Sequence, residues 1–279
     1  MTISLGRYGV WRHAGGLTPE LAREIESLGF GTVWIGGSPP GDLQLAEDLL
    51  DATGSLVVAT GIVNMWTAPA DEVARSYHRI AARHPDRFLL GVGIGHPEAI
   101  GDYSRPYATI VEYLDRLDAL DVPVAGRALA ALGPKVLDVA RERTAGAHPY
   151  LTTPEHTRTA RERLGDGVLL APEHKVVLND DPQAARGLGR PIVHKPYLGL
   201  RNYRANLARL GWSESDMDDG GSDALIDALV AHGTPEQVAA RLDEHLAAGA
   251  DHVCAQVLTP GLKDPEADLR RLAAALGIG

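Results

Sequence analysis

Proton or hydride chemistry needs a few polar groups held against an apolar frame, and two segments of this sequence have that form. Residues 55–66 read SLVVATGIVNMW and residues 87–96 read RFLLGVGIGH. In each, a run rich in Val, Leu and Ile gives way to glycine and then to one hydrogen-bonding side chain, Asn64 in the first and His96 in the second. An imidazole with an ordinary pKa of about 6.5 can give or take a proton at neutral pH, so His96 is the candidate acid or base. Trp11 and His13, after the first apolar run, are weaker candidates of the same kind, and Trp66 is placed either to wall a pocket or simply to pack.

Other chemistries are disfavoured. No His-Glu-x-x-His, Cys-x-x-Cys pair or carboxylate cluster has metal-ligand spacing, and no Gly-x-Ser-x-Gly elbow offers a serine nucleophile. Gly91, Gly93 and Gly95 do not make a dinucleotide fingerprint, because the third glycine of that motif falls on His96. The single Cys254 lies in an apolar run and reads as a buried filler. At 133–135, Gly-Pro-Lys joins a strand end to a helix start, which suits either a phosphate on free backbone N–H groups or an ordinary turn.

These groups need a frame. The chain has 279 residues, 44% hydrophobic and 23% charged, enough for one domain spanning 1–279. A net charge of −10 argues against nucleic acid or an anionic membrane as partner, and no stretch has the roughly 18 apolar residues of a spanning helix, so a cytoplasmic protein with a small-molecule substrate is expected. Strands are predicted at about 3–10, 32–35, 56–60, 88–92, 128–132, 147–151, 175–178 and 252–258, with amphipathic helical patterns between most of them. Eight strands in alternation point to an α/β fold of the (β/α)8 barrel type. Thr18-Pro19-Glu20, Thr153-Pro154-Glu155 and Thr234-Pro235-Glu236 each read as a helix start, and Gly249 as the stop of the last of these helices. Residues 182–233 hold helical pieces and no strong strand, an insertion between the seventh and eighth strands suited to a lid or a subunit contact. A barrel site must be assembled from the loops after its strands, at 36–38, 61–64, 93–96, 133–135 and 151–153.

The segments 28–35, 59–64, 87–96, 130–134 and 233–253, in that order, resemble the luciferase-like monooxygenase superfamily, specifically its branch of coenzyme F420-dependent oxidoreductases. The resemblance implies a deazaflavin lying across the carboxyl ends of the strands. It implies a cis peptide at Gly61-Ile62 backing the ring, with Ser38 and Asn64 near the ring or its ribityl chain. Leu132 and Gly133 would offer backbone N–H groups to the cofactor phosphate, and Tyr150, Leu151 and Thr152 would lie along the tail. His96 stands where some relatives place a glutamate acting as general acid, so this chain departs from the pattern in residue type. The implied reaction is hydride transfer between the deazaflavin C5 and a small organic substrate, with His96 handling the companion proton.

Three alternatives stay open. One is an FMN-dependent monooxygenase fed by a separate reductase, and one a non-catalytic flavin- or deazaflavin-binding protein. The third is an unrelated barrel enzyme such as an aldolase, for which Lys175 would be the Schiff-base amine. The resemblance also implies a homodimer that buries helices near the second and third strands.

Overall fold

The computed structural model describes residues 3–95 and 105–279. Eight parallel barrel strands follow one another in chain order: Tyr8–His13, Thr32–Gly36, Val57–Gly61, Phe88–Gly93, Arg127–Leu129, Gly146–Ala147, a seventh in two pieces at Leu169–Leu170 and Glu173–Val177, and Val253–Val257. The eighth pairs with the first, Val253 opposite Tyr8. The seventh strand closes the ring. On one side the N–H groups of Leu169, Ala171 and Glu173 donate to the carbonyls of Ala145, Ala147 and Pro149; on the other, Cys254 donates to Pro172 and Leu258 to Val176. Beyond Gly61 the third strand resumes as Val63–Asn64, paired with Val92 and Gly93.

A helix follows every barrel strand: Pro19–Ser27, Gln44–Ala52, Ala70–Arg83, Pro106–Ala119, Pro134–Arg143, Pro154–Leu164, Pro235–Ala247 and Glu266–Leu276. Three of them open as the Thr-Pro-Glu repeats predict. The hydroxyls of Thr18, Thr153 and Thr234 accept the backbone N–H of Leu21, His156 and Gln237, and Gln237 returns a bond to the Thr234 N–H in a capping box. Gly249 follows the last of these helices at φ 103°.

Strand periodicity sorts the side chains into two cores. Val10, Val33, Val58 and Leu90 face outward and pack under the helices with Ile25, Leu49 and Ile80. Trp11, Trp34, Val57, Ala59, Leu89, Ala128 and Cys254 face inward and fill the barrel. Cys254 is a buried filler with its thiol near the Pro172 carbonyl.

The sequence places the first strand at 3–10, but it runs from Tyr8 to His13. The chain before it crosses the bottom of the barrel: Leu5 plugs the inner core, its carbonyl accepts the Thr32 hydroxyl, and Gly6 turns at φ 71°. The fifth and sixth strands stop short of the predicted 132 and 151, and Leu151 takes a left-handed φ of 54°. Between the seventh and eighth strands lie the helices Pro182–His194, Arg201–Arg209, Glu214–Met217 and Asp223–Leu229. A short strand, Val230–His232, also forms there, where the sequence shows no strong one. It pairs in parallel with Lys175–Val177, and three residues are too few to leave a period-two pattern. Among the described residues no helix is long and apolar enough to cross a membrane.

Candidate functional site

At the carboxyl end of the barrel, the inner faces of the second, third and fourth strands end in Gly36, Gly61 and Gly93. Neighbouring side chains occupy the space these glycines leave. A Cβ on Gly36 would lie 1.9 Å from Cζ2 of Trp11, one on Gly61 would lie 2.9 Å from Nε1 of Trp11, and one on Gly93 would lie 3.1 Å from Cγ1 of Ile62. Trp11 and Ile62, with Ala130 and the His148 ring, thus pack against these glycines at the mouth. The Trp11 Nε1–H donates to the Gly61 carbonyl at 3.3 Å, and the Gly61–Ile62 peptide is cis, as the resemblance implies. Asn64 is buried, and its Oδ1 accepts the Trp66 N–H at 3.0 Å, fixing the turn at the end of the third strand. Ser38 is exposed at φ 55° beyond the second strand, next to Gly37, whose missing Cβ admits the His13 ring. His13 itself accepts the Gly15 N–H through Nδ1.

Across the mouth stands a buried charged cluster that the sequence reading missed. Glu173 and Lys175 are two residues apart on the seventh strand, so both point into the barrel, while His174 between them points outward to His245. The Lys175 ammonium lies 3.1 Å from the Glu173 carboxylate and 3.8 Å from the centre of the Tyr150 ring. Both charged groups are wholly buried. Burial pushes the Glu173 carboxyl up and the Lys175 ammonium down from their ordinary ranges, and each partner offsets part of the other's shift. Glu173 also accepts the Leu151 N–H at 2.9 Å, and the Tyr150 hydroxyl donates to Gln256 at 2.9 Å. Trp11, Tyr150, Tyr197 and Tyr203 follow one another at centroid distances of 5.1, 5.4 and 5.0 Å. The available signal was the Glu-His-Lys triplet itself, charged at alternate positions in a strand whose other members are apolar.

A third region surrounds Leu132 and Gly133. Helix Pro134–Arg143 starts at Gly133 with no side-chain cap and no acidic residue in its first turn. Nε2 of the buried His156 contacts the Leu132 carbonyl at 2.9 Å. A cavity of about 190 Å³ opens beside the start of the next helix, lined by Thr153, Glu155, Leu210, Trp212, Ala228 and Arg241.

Residues 122–252 match the model of the luciferase-like monooxygenases. The chain is similar to that family. Its fold is also similar to an F420-dependent secondary alcohol dehydrogenase solved with an F420-acetone adduct, at 16% identity and a TM-score of 0.76 over 100% of this chain and 99% of the other. The coenzyme F420-dependent tetrahydromethanopterin reductase of Methanopyrus kandleri gives 16% identity and a TM-score of 0.71, over 99% of both chains. The oxygenating component of 3,6-diketocamphane monooxygenase from Pseudomonas putida, solved with FMN, gives 14% and 0.68 over 98% and 96%. At such identities the likeness is one of fold.

On this barrel, Ser38, Gly61, Ile62, Asn64, Leu132, Gly133, Tyr150, Leu151 and Thr152 all fall at or just beyond the carboxyl ends of strands two, three, five and six. They do not all present the same kind of group. The Leu151 side chain packs into the cluster under the helices of 182–229, and its N–H is taken by Glu173, whereas the Thr152 hydroxyl is buried with no hydrogen-bond partner. His96 lies outside the described residues.

Proposed function

We propose that the chain is an oxidoreductase that binds coenzyme F420 across the barrel mouth and exchanges a hydride with a small organic substrate. The observation that carries this reading is the row of glycines Gly36, Gly61 and Gly93 at the carboxyl ends of three neighbouring strands, with Trp11 and Ile62 packed in the space their missing side chains leave, a place where a tricyclic ring could approach the backbone closely. The fold likeness to two F420-dependent enzymes over the whole chain supports it.

The residues present fit such a group. Trp11 and Ile62 would carry the ring, Ser38 and Asn64 would border it, and the uncapped helix start at Gly133 would take the phosphate. Tyr150, Leu151 and Thr152 would border the side chain, next to a cavity lined by Trp212 and by the opposite charges of Glu155 and Arg241. The bound deazaflavin would supply a carbon centre able to accept or release hydride. The protein would exclude water with its aromatic row, orient the reactants beside Trp11 and hold the companion proton on the His96 imidazole.

A second reading, an FMN-dependent monooxygenase, is favoured by the likeness to the FMN-bound diketocamphane enzyme. The two separate in one experiment. The purified protein is incubated with F420 or with FMN, desalted, and assayed by absorbance for retained chromophore. Retention of F420 alone is the expected result. Retention of FMN alone moves the chain to the second reading, and retention of neither removes both.

A further inference from the structure

We propose that Gln256, near the carboxyl end of the eighth strand, binds the oxygen of a neutral ketone or alcohol substrate through its carboxamide N–H2 group, and that Tyr150 and Lys175 aim it. The proposal deepens the reading above by naming a substrate class, and it rests on that reading for the hydride that such a substrate exchanges.

Strand register places the side chain. Gln256 stands opposite Lys175 and Cys254 opposite Glu173, so Gln256 shares the inward face of the barrel with all three. On the other side Cys254 stands opposite Gly9, and two positions further along both strands Gln256 comes level with Trp11. Gln256 is therefore the residue of the eighth strand that lies beside Trp11 and the glycines of the mouth. Cys254 below it is fully buried, whereas Gln256 is only partly so.

One end of the carboxamide is held and the other is open. The Tyr150 hydroxyl donates to Oε1 of Gln256 at 2.9 Å, and the Tyr197 hydroxyl bonds to that of Tyr150. Burial drives the Tyr150 hydroxyl far above its ordinary pKa, so it stays a donor. With Oε1 fixed, Nε2 points the other way, and among the described residues nothing accepts from its two N–H bonds. Tyr150 is itself held from three directions. The Lys175 ammonium lies 3.8 Å from the centre of its ring, Trp11 packs at 5.1 Å, and Glu173 accepts the N–H of the next residue, Leu151, at 2.9 Å. Burying an ion pair costs desolvation energy, and the rigid support of Tyr150 gives the Glu173–Lys175 pair a use. Because that pair is neutral as a unit and sealed from solvent, the donor left for a substrate is uncharged and ringed by Trp11, Tyr150 and Tyr197. Such surroundings suit a neutral molecule, and the free N–H2 group asks for an acceptor oxygen on it. As hydride reaches a carbonyl carbon, the C=O electron pair moves onto the oxygen beside these N–H groups, and the proton held on His96 completes the hydroxyl. An alcohol passes through the same steps in reverse.

The test follows the carboxamide itself by NMR. The glutamines of the chain are Gln44, Gln183, Gln237 and Gln256, so protein carrying heavy nitrogen only in glutamine shows few side-chain N–H2 signals, and the one missing from Gln256→Leu belongs to Gln256. Cyclohexanone is the probe, and methylenecyclohexane, of the same shape without the oxygen, is the control. Cyclohexanone should move the Gln256 signal and leave the other three in place, and the control should move none. In Tyr150→Phe, which keeps the ring and removes the hydroxyl, the Gln256 response should be lost while the far-UV circular dichroism stays that of the parent. A Gln256 signal that ignores cyclohexanone, follows both probes alike or responds equally in Tyr150→Phe overturns the proposal. In protein loaded with F420, kcat/KM for cyclohexanone should fall about ten- to hundredfold in Gln256→Leu and less in Gln256→Asn, with retention of F420 unchanged. No turnover of cyclohexanone by the loaded parent, or equal kcat/KM in parent and Gln256→Leu, also overturns it. If the parent retains no F420, the hydride reading fails, and the carboxamide response, which needs no cofactor, decides the proposal by itself.

Discussion

The indole Nε1–H of Trp11 reaches over the second strand to donate to the Gly61 carbonyl at 3.3 Å, tying the first strand to the end of the third. The second strand tolerates the crossing because Gly36 has no side chain: a Cβ there would stand 1.9 Å from the indole. Gly36→Ala is therefore expected to displace Trp11. The overpacking should lower stability by about 1–3 kcal/mol in urea denaturation and weaken retention of whichever chromophore binds. Trp11→Phe should lose only about 1 kcal/mol, for the missing hydrogen bond. An unchanged urea midpoint for Gly36→Ala would contradict the packing described.

The buried pair gives a sharper asymmetry. Lys175→Met leaves the Glu173 carboxyl wholly buried with only the Leu151 N–H for company, and a change of that kind costs about 3–5 kcal/mol. Replacing both residues, as Glu173→Gln with Lys175→Met, should recover most of that loss, because no charge then remains to be desolvated. Denaturant titration of the three proteins checks the ordering. If the double variant is no more stable than Lys175→Met, the loss does not come from an uncompensated charge.

Much of this barrel could be read from punctuation. Thr-Pro-Glu openings, strand runs and glycine exits are local signals, and they located the loops at 36–38, 61–64, 133–135 and 151–153 at the rim before any packing was known, whereas Leu132 and Tyr150 were added by the family resemblance. What escaped depends on pairing between distant segments. Nothing near Arg209 in sequence indicates its approach to Gly133, 76 positions earlier, and the alternation of Glu173 and Lys175, though present in the sequence, shows as a pair only once the seventh strand is placed in the barrel. Val230–His232 is a strand solely because Lys175–Val177 offers it an edge. The first strand shifted for the same reason, since Leu5 was more useful as a plug for the barrel than as a ladder residue.

The local signals also carry measurable stability. The Thr234 hydroxyl accepts from the Gln237 N–H, and the Thr234 N–H donates in return to Oε1 of Gln237. Thr234→Ala removes the hydroxyl half of that box and should cost about 1 kcal/mol, within the range of 0.5–2 for such caps. Thr234→Ser should cost almost nothing. Equal losses for the two would mean that the methyl group, and not the hydroxyl, matters at this position.

Acid should unfold this protein before its carboxylates titrate. His148 and His252 are each pushed down to about 4 and His174 to about 3, in every case mainly by burial, and His156 and His245 are lowered as well. Their bonding explains why they stay neutral. The two ring nitrogens of His252 lie at 2.8 Å from the Gly6 carbonyl and 3.1 Å from the Trp34 Nε1–H, so one must donate and the other accept. In the unfolded chain each histidine binds a proton below about 6.5, whereas the folded state refuses it until far lower pH. Stability is thus fully present above about 6.5 and is lost as pH falls from there towards 4, by roughly 1.4 kcal/mol per pH unit for each such group once the pH is well below 6.5. Glu26, held at about 2 by backbone N–H groups that outweigh its burial, acts in the same direction only below the ordinary carboxylate range. Urea midpoints measured from pH 7.5 to 5 isolate the histidines, and they should fall steeply below 6.5. A flat profile over that window would mean that these rings are protonated in the fold and that the neutral bonding assigned to His252 is wrong.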